Sequence, residues 1–139
     1  MQINPYIVFN GNCREAFEYY KLHLGGTDLY LLSHGDTPMG DNVTEDWKDK
    51  IIHATLQIGK SCIMGSDSPR EDYIPPAGSY IMLAVDTVVE AEAAFEALAR
   101  NGQIKMPISE TFWSVRYGIV VDQFGIPWMI NCSIAAQNS

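Results

Sequence analysis

Basic residues are scarce in this chain. Nine Lys and Arg stand against 17 Asp and Glu among 139 residues, a formal charge of −8. That balance removes nucleic acid and anionic membrane from the expected partners, because both recruit clustered Lys and Arg. Long apolar runs are missing as well: nothing approaches the roughly 20 residues of a membrane helix. The opening Met1-Gln2-Ile3-Asn4-Pro5 has neither the basic segment nor the apolar segment of a secretory signal. Cysteine is limited to Cys13, Cys62 and Cys132, odd in number and without C-x-x-C spacing. Neither a disulfide framework nor a zinc knuckle is expected, and the three read as reduced thiols of a cytoplasmic protein. There is no P-loop and no G-x-S-x-G elbow. What remains is a soluble chain, 47% hydrophobic, long enough for one compact domain or two small modules.

The residues present follow a repeated order. Asn4 to Phe9 is a β-rich run; Asn12 with Glu15 has capping-box spacing, and Ala16, Phe17, Tyr20 and Leu24 follow at helical intervals before Gly25-Gly26. Thr27 to Ser33 reads as a strand. His34 to Lys50 is polar and without periodicity, a long loop with one helical turn near Thr44 to Asp49. Ile51 to Ile58 and Ser61 to Ser66 are strands, and the Pro-rich Arg70 to Ala77 is an extended linker. Then the order starts again. Tyr80 to Asp86 is a strand, Thr87 and Glu90 form a second capping box, and Ala91, Phe95 and Leu98 line a helix ending at Asn101-Gly102. Gln103 to Pro107, Phe112 to Val121 and Ile126 to Ser133 are three more strands, followed by a polar tail, Ile134 to Ser139.

Equivalent landmarks recur at offsets of 76 (80 − 4), 75 (87 − 12) and 76 (102 − 26). The pattern is β-α-β-β-β twice: an α+β chain of two tandem modules within one domain, 1–139. Module one covers about 1–68, the linker 69–78, and module two about 79–133. A unit that leaves one sheet face uncovered needs its copy, so the modules are expected to form a cupped mixed sheet with the helices outside. Helix-side positions would be Ile7, Phe9, Ile52, Leu56, Ile81, Leu83, Trp128 and Ile130. The opposite faces would carry Asn4, Tyr6, His53, Thr55 and Met64 from module one. Module two would add Tyr80, Met82, Met129 and Asn131, with Trp113 and Tyr117 as further wall residues. That mixture of soft apolar and hydrogen-bonding side chains suits a small-molecule ligand, and Met-rich faces equally suit a protein partner such as a second copy. Trp47 is either a residue folding over the ligand or an anchor in a homodimer. A structural Arg116–Asp122 ion pair is expected beside the last hairpin.

The segments NGNCREAFEYYKLHLGG, IIHATLQIG and, above all, ETFWSVRYGIVVDQFGIPWMIN resemble the PhnB-like proteins. These belong to the glyoxalase, bleomycin-resistance and dioxygenase superfamily, the vicinal oxygen chelate fold. The likeness spans the chain apart from the 34–50 loop and the tail. It implies paired β-α-β-β-β modules around a ligand cleft, and in the metalloenzymes four ligands on the first and last strands of each module. Carried over by position, these fall on Asn4, Met64, Tyr80 and Met129, which do not suit a hard or borderline divalent ion. The resemblance thus implies a binding protein of the bleomycin-resistance type with no metal or other cofactor there. The alternative is a glyoxalase-like lyase or isomerase using His53 as acid or base, with or without a divalent metal held elsewhere. Relatives are also labelled methyltransferases, yet no strand here ends in a G-x-G loop for a nucleoside cofactor.

Overall fold

The computed structural model describes residues 1–134; the expectation of a frayed tail lies almost wholly outside them. The chain divides into two compact units, Met1–Ile74 and Pro75 onward. In the first, β1 (Tyr6–Phe9), α1 (Cys13–His23), β2 (Gly26–Ser33), β3 (Ile51–Ile58) and β4 (Ser61–Asp67) form a sheet of order β1-β4-β3-β2. In the second, β5 (Ile81–Val85), α2 (Val88–Ala99), β6 (Gln103–Ser109), β7 (Ser114–Val121) and β8 (Pro127–Ser133) repeat it as β5-β8-β7-β6. First and last strands are parallel in each sheet and the other pairs antiparallel. The repeat read from the sequence is a repeat of architecture.

Each helix covers one face of its own sheet. Cys13, Ala16, Phe17 and Tyr20 are buried in α1, and Ala91, Ala94, Phe95 and Leu98 in α2, both at the i, i+3, i+4, i+7 spacing of a core-facing stripe. Beneath them lie Ile7, Phe9, Leu56 and Ile63 in the first unit and Val120, Trp128, Ile130 and Cys132 in the second. Phe9 and Phe17 meet edge to face with centroids 5.8 Å apart. The strands alternate as expected with one exception. Ile51 is fully buried while Ile52 is only partly so, because Leu32 pairs with His53 and Ser33 with Ile51. This bulge skips Ile52 and turns Ile51 inward in its place.

Four further expectations are corrected. Asn12 makes no side-chain cap to α1; the amide of Cys13 instead donates to Asp67 Oδ1 at 2.9 Å. The 34–50 segment holds three short 3-10 turns rather than one helical turn, and the Pro-rich linker opens with another at Arg70–Asp72. β7 starts at Ser114, because Thr111 Oγ1 accepts from the amides of Trp113 and Ser114 and turns Phe112-Trp113 out of the strand. Arg116 pairs with Glu92 at 3.0 Å and not with Asp122. The buried Asp122 carboxylate accepts from the amides of Phe124 and Ile126 and from the Trp128 indole, at 2.8, 3.0 and 2.9 Å.

Candidate functional site

Residues opposite one another on neighbouring strands share a sheet face. In the first unit, Tyr6 stands opposite Met64, Met64 opposite Thr55, and Thr55 opposite Tyr30. These four form a row across the sheet on the side away from α1, as the burial of Ile7, Phe9 and Ile63 on the alternate positions requires. His53, two residues from Thr55, joins them. The Tyr6 hydroxyl lies 3.4 Å from His53 Nδ1, and the two rings stack at 5.9 Å with an interplanar angle of 24°. Tyr6 and Tyr30 are about half exposed, at 50% and 51%. Asn4 precedes β1 and is partly exposed.

The second unit has the equivalent row. Met82 stands opposite Met129, Met129 opposite Ile119, and Ile119 opposite Met106. The adjoining row is Ala84, Asn131, Tyr117 and Ser109, so Tyr117 occupies the place that His53 has in the first sheet. The Tyr117 hydroxyl contacts the Met129 sulfur at 3.5 Å, and the Trp113 ring meets Tyr117 edge-on at 5.5 Å. Ser114 Oγ donates to Asn131 Oδ1. Met82 and Trp113 are 49% and 47% exposed, a costly display of soft apolar surface unless something covers it. Tyr80, before β5, is exposed as well.

The structure therefore gathers the expected residues into two groups: Tyr6, His53, Thr55 and Met64 in one unit, Met82, Trp113, Tyr117, Met129 and Asn131 in the other. Trp47 joins neither. It lines a separate groove with residues of the 34–50 segment and the Arg70 turn. Sequence reading missed Tyr30, Met106 and Ile119. Strand alternation in β2 gave a signal for Tyr30, whereas the bulged pairing of β6 on β7 hid Met106.

Amide, sulfur and phenol groups stand at Asn4, Met64, Tyr80 and Met129, the positions to which the resemblance carries the metalloenzymes' ligands, where hard oxygen and imidazole donors would suit a divalent ion. Among the described residues no three His, Cys, Asp or Glu side chains converge. His23 packs on Tyr19 at 4.2 Å, and the short turn opened by His34 is tied by Ser33 Oγ donating to Asp36. Thiol chemistry has no support at Cys13: burial, reinforced by Asp67 and Glu15, holds the thiol far above its ordinary value and so protonated.

Known proteins share this arrangement. Residues 2–130 match the sequence profile of the Glyoxalase/Bleomycin resistance protein/Dioxygenase superfamily. The chain belongs to that superfamily. Protein YjdN of Escherichia coli (strain K12) is 37% identical over 139 residues, covering 94% of this chain and 95% of YjdN. The crystal structure of protein PA1353 from Pseudomonas aeruginosa is 47% identical with a TM-score of 0.86, covering 96% of this chain and 98% of PA1353. The PhnB protein from Bacillus cereus, at 21% identity, shares the fold with a TM-score of 0.76 over 96% of this chain and all of that one. Superfamily membership and the PhnB-like resemblance both hold. Among the described residues no helix is long and apolar enough to cross a membrane.

Proposed function

We propose that this chain binds small molecules on the open face of each sheet, taken separately, and does so without the superfamily's metal. One observation carries the reading: Asn4, Met64, Tyr80 and Met129, the positions to which the resemblance carries the superfamily's ligands, offer amide, thioether and phenol groups, while half-exposed Tyr6 and Met82 stand opposite Met64 and Met129. Thioether and ring surfaces adapt to flat apolar ligands, and the net charge of −8 favours a cationic one. In this reading Tyr6, Thr55 and Met64 form the ligand surface of the first sheet, with Asn4 at its strand entrance. Met82, Trp113, Tyr117, Met129 and Asn131 form that of the second, with Tyr80 at its strand entrance. A thermal-shift screen of cationic aromatic compounds tests it. A ligand at 100 times its Kd adds about 2.7 kcal/mol to native stability. Stabilisation lost in Met129→Ala and Tyr6→Ala supports the reading, and no stabilisation across a broad library removes it.

A second reading rests on the Tyr6–His53 contact. A histidine whose ring nitrogen faces a phenol is placed to exchange a proton with a bound molecule, which makes His53 a candidate acid–base residue of a lyase or isomerase. Elemental analysis of protein purified without chelator, with assay of His53→Gln, separates the versions. Stoichiometric divalent metal would overturn the metal-free reading. We also take the protein to be a cytoplasmic homodimer, on the support of the unbridged Cys13 and Cys62 and of exposed apolar side chains. Light scattering checks the stoichiometry.

A further inference from the structure

The first unit owns a segment that the second lacks. β6 passes to β7 through residues 110–113, whereas β2 reaches β3 only through 34–50. That insertion is ordered and tied down. His34 N donates to Lys50 O at 3.0 Å and Gly35 N to Lys48 O at 2.8 Å. Lys50 Nζ donates to Gly11 O at 2.7 Å and Arg14 Nη2 to Asp49 O at 3.3 Å, fixing the segment to the start of α1. Long insertions held this way in compact domains usually carry a function.

Between the insertion and the turn at Arg70–Asp72 lies a groove of about 450 Å³, lined among others by Asp46, Trp47, Pro69, Arg70 and Glu71. Its size falls within the range of small-ligand pockets. None of Tyr6, His53, Thr55 or Met64 lines it, so it is separate from the sheet faces. Trp47 is half-buried, with Lys50 Nζ 6.0 Å from its ring centroid. Arg70 and Glu71 are exposed, and neither side chain pairs with an opposite charge among the described residues. The groove thus presents an indole, a guanidinium and carboxylates within one small space. Guanidinium is suited to carboxylate, carboxylates to ammonium, and indole to an aromatic ring.

We propose that this groove is a second binding site and that it takes a free aromatic amino acid. The ligand carboxylate lies on Arg70, its ammonium on Glu71 and Asp46, and its ring against Trp47. A groove with both signs of charge selects a zwitterion over either half of it.

Selective excitation of tryptophan allows a direct test with three probes: L-phenylalanine, phenylacetate and phenethylamine. The expected result is a saturable change in fluorescence with L-phenylalanine, and affinity roughly tenfold weaker for each single-charge probe, the scale of one charge-assisted hydrogen bond. Arg70→Ala should weaken L-phenylalanine by a similar factor and leave phenethylamine unchanged. Trp47→Phe should abolish the optical signal while thermal stabilisation by L-phenylalanine persists. No saturable change with L-phenylalanine, or equal titrations in wild type and Arg70→Ala, would overturn the proposal. A signal that survives Trp47→Phe reports Trp113 or Trp128; it overturns the groove site and leaves the sheet-face reading standing.

Discussion

The two modules share a topology and close their helices by different means. In module two the N-terminus of α2 is capped locally: the Glu90 amide donates to Thr87 Oγ1 at 3.1 Å, and the Thr87 hydroxyl donates back to Glu90 at 2.9 Å. In module one the local candidate, Asn12, makes no such bond, and its Oδ1 is buried without a partner. Asp67, at the far end of β4, receives the Cys13 amide on one oxygen and the Ile51 amide on the other, at 2.9 and 2.8 Å. One carboxylate therefore joins α1, β3 and β4. The equivalent place on β8 is Cys132, and module two puts its buried carboxylate, Asp122, in the β7–β8 turn instead. Module one, which carries the insertion, is held by a long-range tie where its copy relies on neighbours in sequence.

The seats of the two helices differ in the same spirit. Phe17 packs over Gly65 on β4, and Phe95 over Gly118 on β7. Each aromatic ring needs a flat place on the sheet, but the small residue has changed strands between copies. Gly65 is hemmed in by backbone, since a Cβ there would lie 2.7 Å from Ile7 O. At Gly118 the nearest atom would be in the Phe95 ring, also at 2.7 Å, and the nearest backbone atom, Ile108 Cα, lies farther off at 3.1 Å, so backbone crowds this seat less closely than that of Gly65.

The sharpest way to break the comparison is Asp67→Ala. It strands two buried amides, each worth about 1–3 kcal/mol when left unpaired, so a loss of about 3 kcal/mol is expected in urea denaturation. Next is the contrast between glycines. Gly65→Ala should cost about 3 kcal/mol and Gly118→Ala about 1 kcal/mol, within the range for overpacked cores. Equal values would mean that both seats yield alike. Thr87→Ala should cost about 1 kcal/mol, the ordinary value of an N-cap. A larger loss there than in Asp67→Ala would reverse the assignment of local and long-range closure.

The smallest effect is in pH. Burial raises the Asp67 carboxyl above its ordinary 3.8, against the pull of the Ile51, Cys13 and Gly11 amides and of Lys50. A carboxyl whose folded value is raised contributes stability that is fully present below 3.8 and is lost as pH rises through the folded value. The stability gap between wild type and Asp67→Ala should therefore narrow as pH rises across that window. A gap that widens would mean that the amides outweigh burial.

The sequence by itself determined the repeat, the helix stripes and the alternation of most strands. These are local and periodic: Ala16, Phe17 and Tyr20 fall on one helical face wherever the helix lies, and Trp128, Ile130 and Cys132 on one strand face. It also carried the donor chemistry of Asn4, Met64, Tyr80 and Met129, amide, thioether and phenol, because that belongs to residue type. Tertiary structure decided what depends on pairing. The bulge opposite Leu32 and Ser33 exchanged Ile52 for Ile51, strand register set Met82 beside Met129, and the fold handed the α1 cap to a residue 54 positions beyond Cys13. It also moved Trp47 into a groove of its own. The physical reason is the same in each case: hydrogen-bond partners across strands, and amides seeking acceptors, are chosen by proximity in space, which periodicity along the chain does not encode.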